Sequence, residues 1–151
     1  MSTLPVNEHS AWDARAIAEF LEKAVIPMRL AVNDKSGFPR ICSMWFGFDG
    51  EHILAVSHKK ALMTRLLQND GRCAFEIASN TEPYQGVRGQ AMVRIDQPLG
   101  KTVLPELIKK YIHNRHDDLR EFLLGRIDDE YALCLKLEWI SAWDYSDRML
   151  G

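Results

Sequence analysis

The chain has 151 residues, of which 46% are hydrophobic and 26% charged, and its formal net charge is −2 at pH 7. This length predicts a single domain over residues 1–151, and the charge balance excludes the strongly basic surface of a nucleic-acid-binding protein. No apolar run approaches the roughly 20 residues that a membrane-spanning helix needs. The first ten residues lack the basic start and apolar middle of a signal peptide, so a cytoplasmic protein is expected.

The predicted elements begin with a helix in "SAWDARAIAEFLEKA" (10–24), for which Ser10 is the N-cap candidate. In residues 26–57 the turn signals "NDKSG" and "DG" separate three apolar runs, which predicts a β-meander. A short helix at 59–69 and strands at 72–79 and 84–95 follow. Residues 99–125 contain two helical pieces, and 131–146 form a long last strand. Six strands with three or four helices favour an antiparallel α+β domain or a small barrel.

The second predicted strand has two distinct faces because its side chains alternate. One face is uniformly apolar and should line the core; it carries Cys42, Met44, Phe46 and Phe48. The other face carries Ile41, Ser43 and Trp45, and we expect a helix, a second subunit or a flat ligand to cover it. Cys42, Cys73 and Cys134 are far apart in apolar surroundings, which predicts buried, reduced thiols.

Polar clusters elsewhere allow few chemistries. His58, Lys59 and Lys60 stand where a strand passes into a helix, and they form either a solvated corner or a binding site for an anion such as phosphate. His113 and His116 are three positions apart without a third ligand, so a solvated helix end is expected and no metal site is predicted. The acidic residues of "RIDDEY" (126–131) are interpreted as a charged turn.

Several short sequence segments follow one another along the chain as a characteristic series. They are "D-x-x-G-x-P-R" at 34–40, a strand ending in "WF", then "DG", a lysine-bearing turn, "RLLQND", "RCAFEI", "PYQGVRGQAMV" and "ISAWDYSDRM". The series resembles the pyridoxamine 5′-phosphate oxidase-like superfamily of FMN-binding split β-barrels, over roughly residues 15–148. The resemblance implies an α+β, mainly β fold: a six-stranded antiparallel split β-barrel with flanking helices. It also implies a homodimer with an FMN at each subunit interface.

The resemblance also implies which residues bind the cofactor. They are Arg40, Ile41, Cys42, Ser43, Met44, Trp45, Val56, Ser57, Lys59, Lys60, Tyr84 and Gln85. Arg40 and the lysine pair would hold the phosphate, with Arg65 as an alternative to either lysine. Residues 43–45 would lie along the ring, and Tyr84 or Gln85 would reach the flavin of the other subunit. The outward Trp45, with Trp139 and Trp143 of the last strand, makes more apolar exterior than a monomer usually exposes, which independently favours a dimer.

The implied function is that of an FMN-dependent oxidoreductase, with hydride transfer between the flavin and an unidentified small molecule. A flavin enzyme needs no catalytic triad because the cofactor performs the chemistry, and no catalytic residue is identified here. The "WDYSDRM" ending lacks the Arg- and His-rich substrate motif of the true pyridoxamine 5′-phosphate oxidases, which argues against that substrate. The alternatives are a non-catalytic flavin-storing or flavin-sensing protein, a barrel without cofactor, and a deazaflavin or haem in place of FMN. Neither nucleic acid nor membrane is expected as a partner.

Overall fold

The computed structural model describes residues 4–150 as one curled antiparallel sheet with helices around it. The strands are β1 (Met28–Asn33), β2 (Pro39–Met44), β3 (Gly47–Phe48), β4 (His52–His58), β5 (Arg72–Ala78), β6 (Gln85–Asp96) and β7 (Glu130–Asp144). The helices are α1 (Ala14–Lys23), α2 (Leu62–Asn69), α3 (Gly100–Ile112), α4 (Asp117–Gly125) and α5 (Ser146–Leu150), with a 3-10 turn at Ile127–Asp129. The predicted α+β class and antiparallel sheet are confirmed.

The strand order explains why the sheet curls. It runs β2-β1-β5-β6-β7-β4-β3, so that β2 and β3 lie at opposite ends of the order. Yet only Trp45 and Phe46 separate these two strands along the chain. The two edges of the sheet must therefore approach each other, as they do in a barrel.

The sheet has seven strands within the described residues, whereas six were predicted, because the second predicted strand is interrupted. At the interruption Phe46 is fully buried, and its backbone N–H donates to the hydroxyl of Tyr111 at 3.2 Å instead of joining a strand ladder. The apolar run of the second predicted strand thus forms both edge strands of the sheet, β2 at one end of the strand order and β3 at the other. Counted as one bent strand, β2 and β3 restore the predicted six.

The interior of the barrel is filled as the alternation predicts. Phe46 is buried, and Cys42, Met44 and Phe48 pack half-buried against the same core. The fully buried face of α1 adds Ile17 and Leu21 to the same cluster. The inward face of the second predicted strand is therefore confirmed.

The start of α1 differs from the prediction. Asp13, not Ser10, is the N-cap: its Oδ1 accepts a hydrogen bond from Ala16 N at 2.9 Å. The Ser10 hydroxyl instead donates to Trp12 O and accepts from Ala142 N, which ties the segment before the helix to β7. Ser10 as a cap was wrong because a distant strand competes for its hydroxyl.

The three thiols are free. Cys73 and Cys134 are buried and Cys42 is half-buried. Desolvation raises the pKa of Cys73 to about 12, so this thiol stays protonated at neutral pH. In residues 4–150 no helix combines the length and apolar character needed to cross a membrane.

Candidate functional site

An opening lies between β2, which precedes the interruption at Trp45 and Phe46, and β4, which follows it. β2 pairs only with β1, whereas β4 pairs with β3 and β7. The two strands therefore diverge without hydrogen bonds between them. Two of the grooves that open along β2 contain charged or aromatic residues predicted from the sequence to bind a cofactor.

The first, the apolar groove, spans from β2 to β4 and is covered by the helices between β6 and β7. It encloses about 320 Å³. Its lining residues are Ser43, Met44, Trp45, Val56, Leu104, Leu119, Leu123 and Glu130. A volume at the lower end of the roughly 300–1,000 Å³ range of ligand pockets suits a single flat ring system rather than a bulky ligand.

Trp45 forms one wall of the apolar groove and is held there by α3. Its indole stacks on the ring of Tyr111, with centroids 5.2 Å apart and planes 7° from parallel. The Tyr111 hydroxyl donates to Ile26 O at 2.8 Å and accepts from Phe46 N at 3.2 Å. Helix α3 thus covers part of the outer face of the second predicted strand. A helix was one of the three possibilities for this face, beside a second subunit and a flat ligand.

Glu130 is the charged residue of the apolar groove, and it is only 5% exposed. Its Oε1 accepts a hydrogen bond from Arg126 Nε at 2.6 Å. Arg126 is in turn placed over the ring of Phe122, 5.2 Å from its centroid. The prediction of a charged turn over residues 126–131 is therefore wrong for Glu130, which begins β7 with its side chain buried.

The second, the basic groove, lies between the β1–β2 turn and α2 and encloses about 480 Å³. Its lining residues are Asp34, Lys35, Ser36, Arg40, Leu62, Arg65, Leu66 and Asn69. Arg40 Nε lies 3.3 Å from Asp34 Oδ2, so one of the three cations is paired within the groove. Among the described residues, no hydrogen bond or ion pair engages the guanidinium of Arg65. The groove therefore keeps an excess of positive charge.

The lysine pair stands at a different place from this groove. Lys59 Nζ forms an ion pair with Asp129 Oδ1 at 2.9 Å, which raises the pKa of Lys59 and lowers that of Asp129. The side chain of Lys60 is exposed, and its backbone N–H donates to His58 Nδ1 at 3.1 Å. Helix α2 begins at Leu62, three residues later than predicted, so both lysines belong to the turn before the helix.

The chain resembles known proteins in its structure and not in its sequence. Neither a protein-family model nor a curated protein matches the sequence. A conserved hypothetical protein from Mycobacterium tuberculosis matches the structure with a TM-score of 0.77 and 18% identity, over 93% of this chain and 89% of that one. A structure named F420 reductase matches with a TM-score of 0.66 and 19% identity, over 82% and 94%. A protein related to general stress protein 26, of the pyridoxinephosphate oxidase family, from Clostridium acetobutylicum matches with a TM-score of 0.62 and 18% identity, over 85% and 91%.

The chain has a split β-barrel fold, and it shares this fold with these solved structures, one of which is of the pyridoxinephosphate oxidase family. The resemblance drawn from the sequence is thereby confirmed at the level of the fold. At identities below one fifth, the likeness concerns the architecture of the chain and not its ligand.

The split barrel brings only some of the predicted site residues together. Four of them line the apolar groove: Ser43, Met44, Trp45 and Val56. Arg40 lies in the basic groove. Ser57 follows Val56 but faces the opposite side of β4, where it is 7% exposed and accepts a hydrogen bond from Thr64 at 2.7 Å. Cys42 likewise packs against the core, and Ile41 points outward at 71% exposure.

Tyr84 and Gln85 lie at the far end of the split barrel. Gln85 pairs with Asp144 on β7, whereas Val56 pairs with Ala132 of the same strand. The twelve positions from Ala132 to Asp144 correspond to roughly 40 Å along the strand at about 3.3 Å per residue. Tyr84 and Gln85 therefore cannot contact the same ring as Val56 within one chain.

Sequence reasoning missed the half of the apolar groove that comes from distant elements. Leu104 belongs to α3, Leu119 and Leu123 to α4, and Glu130 to β7. The leucines look like ordinary helix core residues. The signal for Glu130 was weak but present: one acid opens the apolar strand "EYALCL", four residues after an arginine.

Proposed function

We propose that this protein is an FMN-dependent oxidoreductase that transfers hydride between the flavin and a small molecule still to be identified. The observation that carries the proposal is the arrangement along β2, where the basic groove at Arg40 is followed by the apolar groove at Ser43 and Trp45. Arg40 and Ser43 are three positions apart, about 10 Å along the strand, and their side chains leave it on opposite faces. A ligand that occupies both grooves therefore passes over the free edge of β2, which pairs only with β1. A ligand with an anionic tail and a flat ring matches this succession. When bound, the flavin ring supplies the redox chemistry, and the protein positions and shields it.

The charged groups fit a phosphate. Guanidinium groups bind phosphate oxygens in pairs of hydrogen bonds, and Arg40 and Arg65 line one groove. Asp34 holds Arg40 at 3.3 Å, so a bound phosphate competes with this carboxylate. We assign the phosphate to Arg40 and Arg65. Lys59 and Lys60 stand as a second basic pair, of which Lys59 has to leave Asp129 before it can bind an anion.

The apolar groove fits the ring. Trp45 and Val56 offer apolar contact, and Ser43 offers a hydroxyl. We assign the ring to these three residues and to Met44. Ile41, Cys42 and Ser57 support the site through the backbone of β2 and β4, since their side chains do not line either groove.

We further propose a homodimer in which Tyr84 or Gln85 contacts the flavin bound to the partner subunit. Their distance from Val56 within one chain supports this assignment. The outer face of the sheet supports it too, because the strand register sets Ile41 beside Ala31, and Ala31 beside Ala74, on three neighbouring strands. An apolar row of this kind suits burial against a second copy. Light scattering at micromolar concentration tests the dimer, and a monomeric mass counts against it.

The proposal is tested by binding. The absorption spectrum of freshly purified protein is recorded first, and FMN is then titrated while its fluorescence is followed. A charge-assisted hydrogen bond contributes roughly 1.5–3 kcal/mol, so Arg65→Ala should weaken FMN binding by at least about tenfold. Arg15→Ala, at an exposed side chain on the outer face of α1, is the control and should leave the affinity unchanged.

The lysine pair is tested in parallel. The double variant Lys59→Ala, Lys60→Ala should weaken FMN less than Arg65→Ala does, because Asp129 already neutralises Lys59. If the double variant loses binding while Arg65→Ala keeps it, the phosphate lies at the lysine turn. An absence of FMN binding by the unmodified protein would remove the proposal altogether.

A deazaflavin is the second candidate cofactor, because a structure named F420 reductase shares the fold over 82% of this chain. Titration with F420 under the same conditions separates the two, and the tighter ligand is the cofactor. Turnover is tested by mixing the FMN-loaded protein anaerobically with NADH or NADPH and following the flavin absorbance. Tight binding without reduction favours a flavin-storing or flavin-sensing protein instead of an enzyme.

A further inference from the structure

Glu130 is an unusual residue for the wall of an apolar groove. A carboxylate is costly to bury unless hydrogen bonds satisfy both of its oxygens. Arg126 satisfies only one of them, through Nε and Oε1 at 2.6 Å. The second oxygen, Oε2, has no hydrogen-bond partner among the described residues.

The second oxygen is nevertheless accessible. Within the described part of the chain, Nε1 of Trp143 is the only fully buried side-chain polar atom without a partner. Oε2 of Glu130 is therefore not fully buried, and Glu130 is one of the residues that line the apolar groove. A carboxylate thus borders a groove whose other lining residues are leucine, valine, tryptophan, methionine and Ser43.

The ion pair also keeps this acceptor in place. Arg126 lies over the ring of Phe122, and its Nε holds Oε1, so the carboxylate cannot rotate without breaking a charged hydrogen bond. A fixed acceptor in an apolar wall selects for a donor at one position on the ligand. It discriminates strongly against ligands that cannot donate there, because the acceptor would then be left without a partner.

We propose that Glu130 accepts a hydrogen bond from a ring N–H of the ligand in the apolar groove, and that Arg126 positions Glu130 for this contact. The inference rests on the proposed function and deepens it. In a flavin the matching donor is N3–H, at the pyrimidine edge of the ring, so this edge faces β7 and the benzene edge faces away from it. Glu130 is a binding residue in this assignment, and Arg126 is a positioning residue.

The test compares two ligands on several variants. FMN and its N3-methyl derivative are each titrated against the unmodified protein, Glu130→Gln, Glu130→Leu and the control Glu138→Gln. Glu138 is an exposed acid on the same strand and does not line the apolar groove. The unmodified protein and the control should bind FMN at least about tenfold more tightly than the N3-methyl ligand. Glu130→Leu should bind FMN about tenfold more weakly and lose the discrimination, and Glu130→Gln, which keeps an amide oxygen, should fall between.

The positioning role of Arg126 is tested by the same ratio, that of the affinities for FMN and for its N3-methyl derivative. Arg126→Gln should reduce the discrimination between the two ligands, and Arg126→Lys should restore part of it, which a purely structural role would not predict. Circular dichroism of each variant establishes that it is folded. If the unmodified protein binds FMN and the Glu130 variants keep the full discrimination, this inference is overturned and the proposed function stands. If the unmodified protein binds no FMN, both are overturned.

Discussion

Replacing Tyr111 with phenylalanine should loosen the junction between β2 and β3 without disturbing the barrel core. The phenylalanine ring keeps the stacking contact with Trp45, which lies 5.2 Å from the Tyr111 centroid. Only the hydroxyl is lost. This hydroxyl joins Ile26 O, ahead of β1, to Phe46 N, at the interruption of the strand.

The magnitude follows from the two hydrogen bonds. Each contributes roughly 0.5–1.5 kcal/mol net, and the backbone groups left behind are partly buried. We therefore expect Tyr111→Phe to lower the free energy of unfolding by about 1–3 kcal/mol. For a chain of 151 residues this corresponds to a fall in Tm of about 2–4 °C per kcal/mol.

The assay is urea unfolding followed by circular dichroism, with the matched control Tyr145→Phe. Tyr145 is exposed, and its hydroxyl makes no hydrogen bond among the described residues. The control should change the unfolding free energy by less than about 0.5 kcal/mol. An equally small effect of Tyr111→Phe would refute the view that this hydroxyl secures the interruption.

Four further variants examine other parts of the structure. Gly100→Ala should cost more than about 2 kcal/mol of stability, since its Cβ would clash with the backbone carbonyl oxygen of Glu130. Gly125→Ala, with nothing within 4 Å of its Cβ, should be neutral or stabilising, and chemical denaturation compares the two. Desolvation lowers the pKa of Lys110 from 10.5 to about 8, so the unfolded chain binds more protons between these values and stability should rise with pH from about 8 to 10.5. Unfolding curves of Lys110→Met should lack that part of the rise, and an unchanged slope would contradict the assignment. Leu133→Ala should lose about 2–5 kcal/mol in the same denaturation assay because Leu133 is fully buried, and a loss under 1 kcal/mol would mean that β7 is not a core strand.

Most of the fold could be predicted because its signals are local. Runs of apolar residues identified β4, β5, β6 and β7 to within a few residues, and turn residues separated them. The interruption at Trp45 and Phe46 could not be found in this way. Both residues favour strands, and the group that ends the pairing, the Tyr111 hydroxyl, comes from 65 positions further along the chain.

Only the part of the candidate site that lies along β2 could be predicted from the sequence. Motif order pointed to Arg40, Ser43 and Trp45, which line the two grooves along β2. The pairing of Lys59 with Asp129 was not predictable, because a salt bridge across 70 positions leaves no local pattern. The inward position of Glu130 was missed for the same reason: in the sequence it belongs to an acidic turn.

The place of β7 in the sheet has a consequence for how the protein is made. This last strand lies between β6 and β4, so the earlier strands cannot close into a barrel before residues 130–144 have left the ribosome. Until then β4 and β6 present unpaired backbone edges, the surfaces most prone to association with other chains. Synthesis that stalls ahead of this segment should therefore yield an aggregating fragment, not a smaller folded domain.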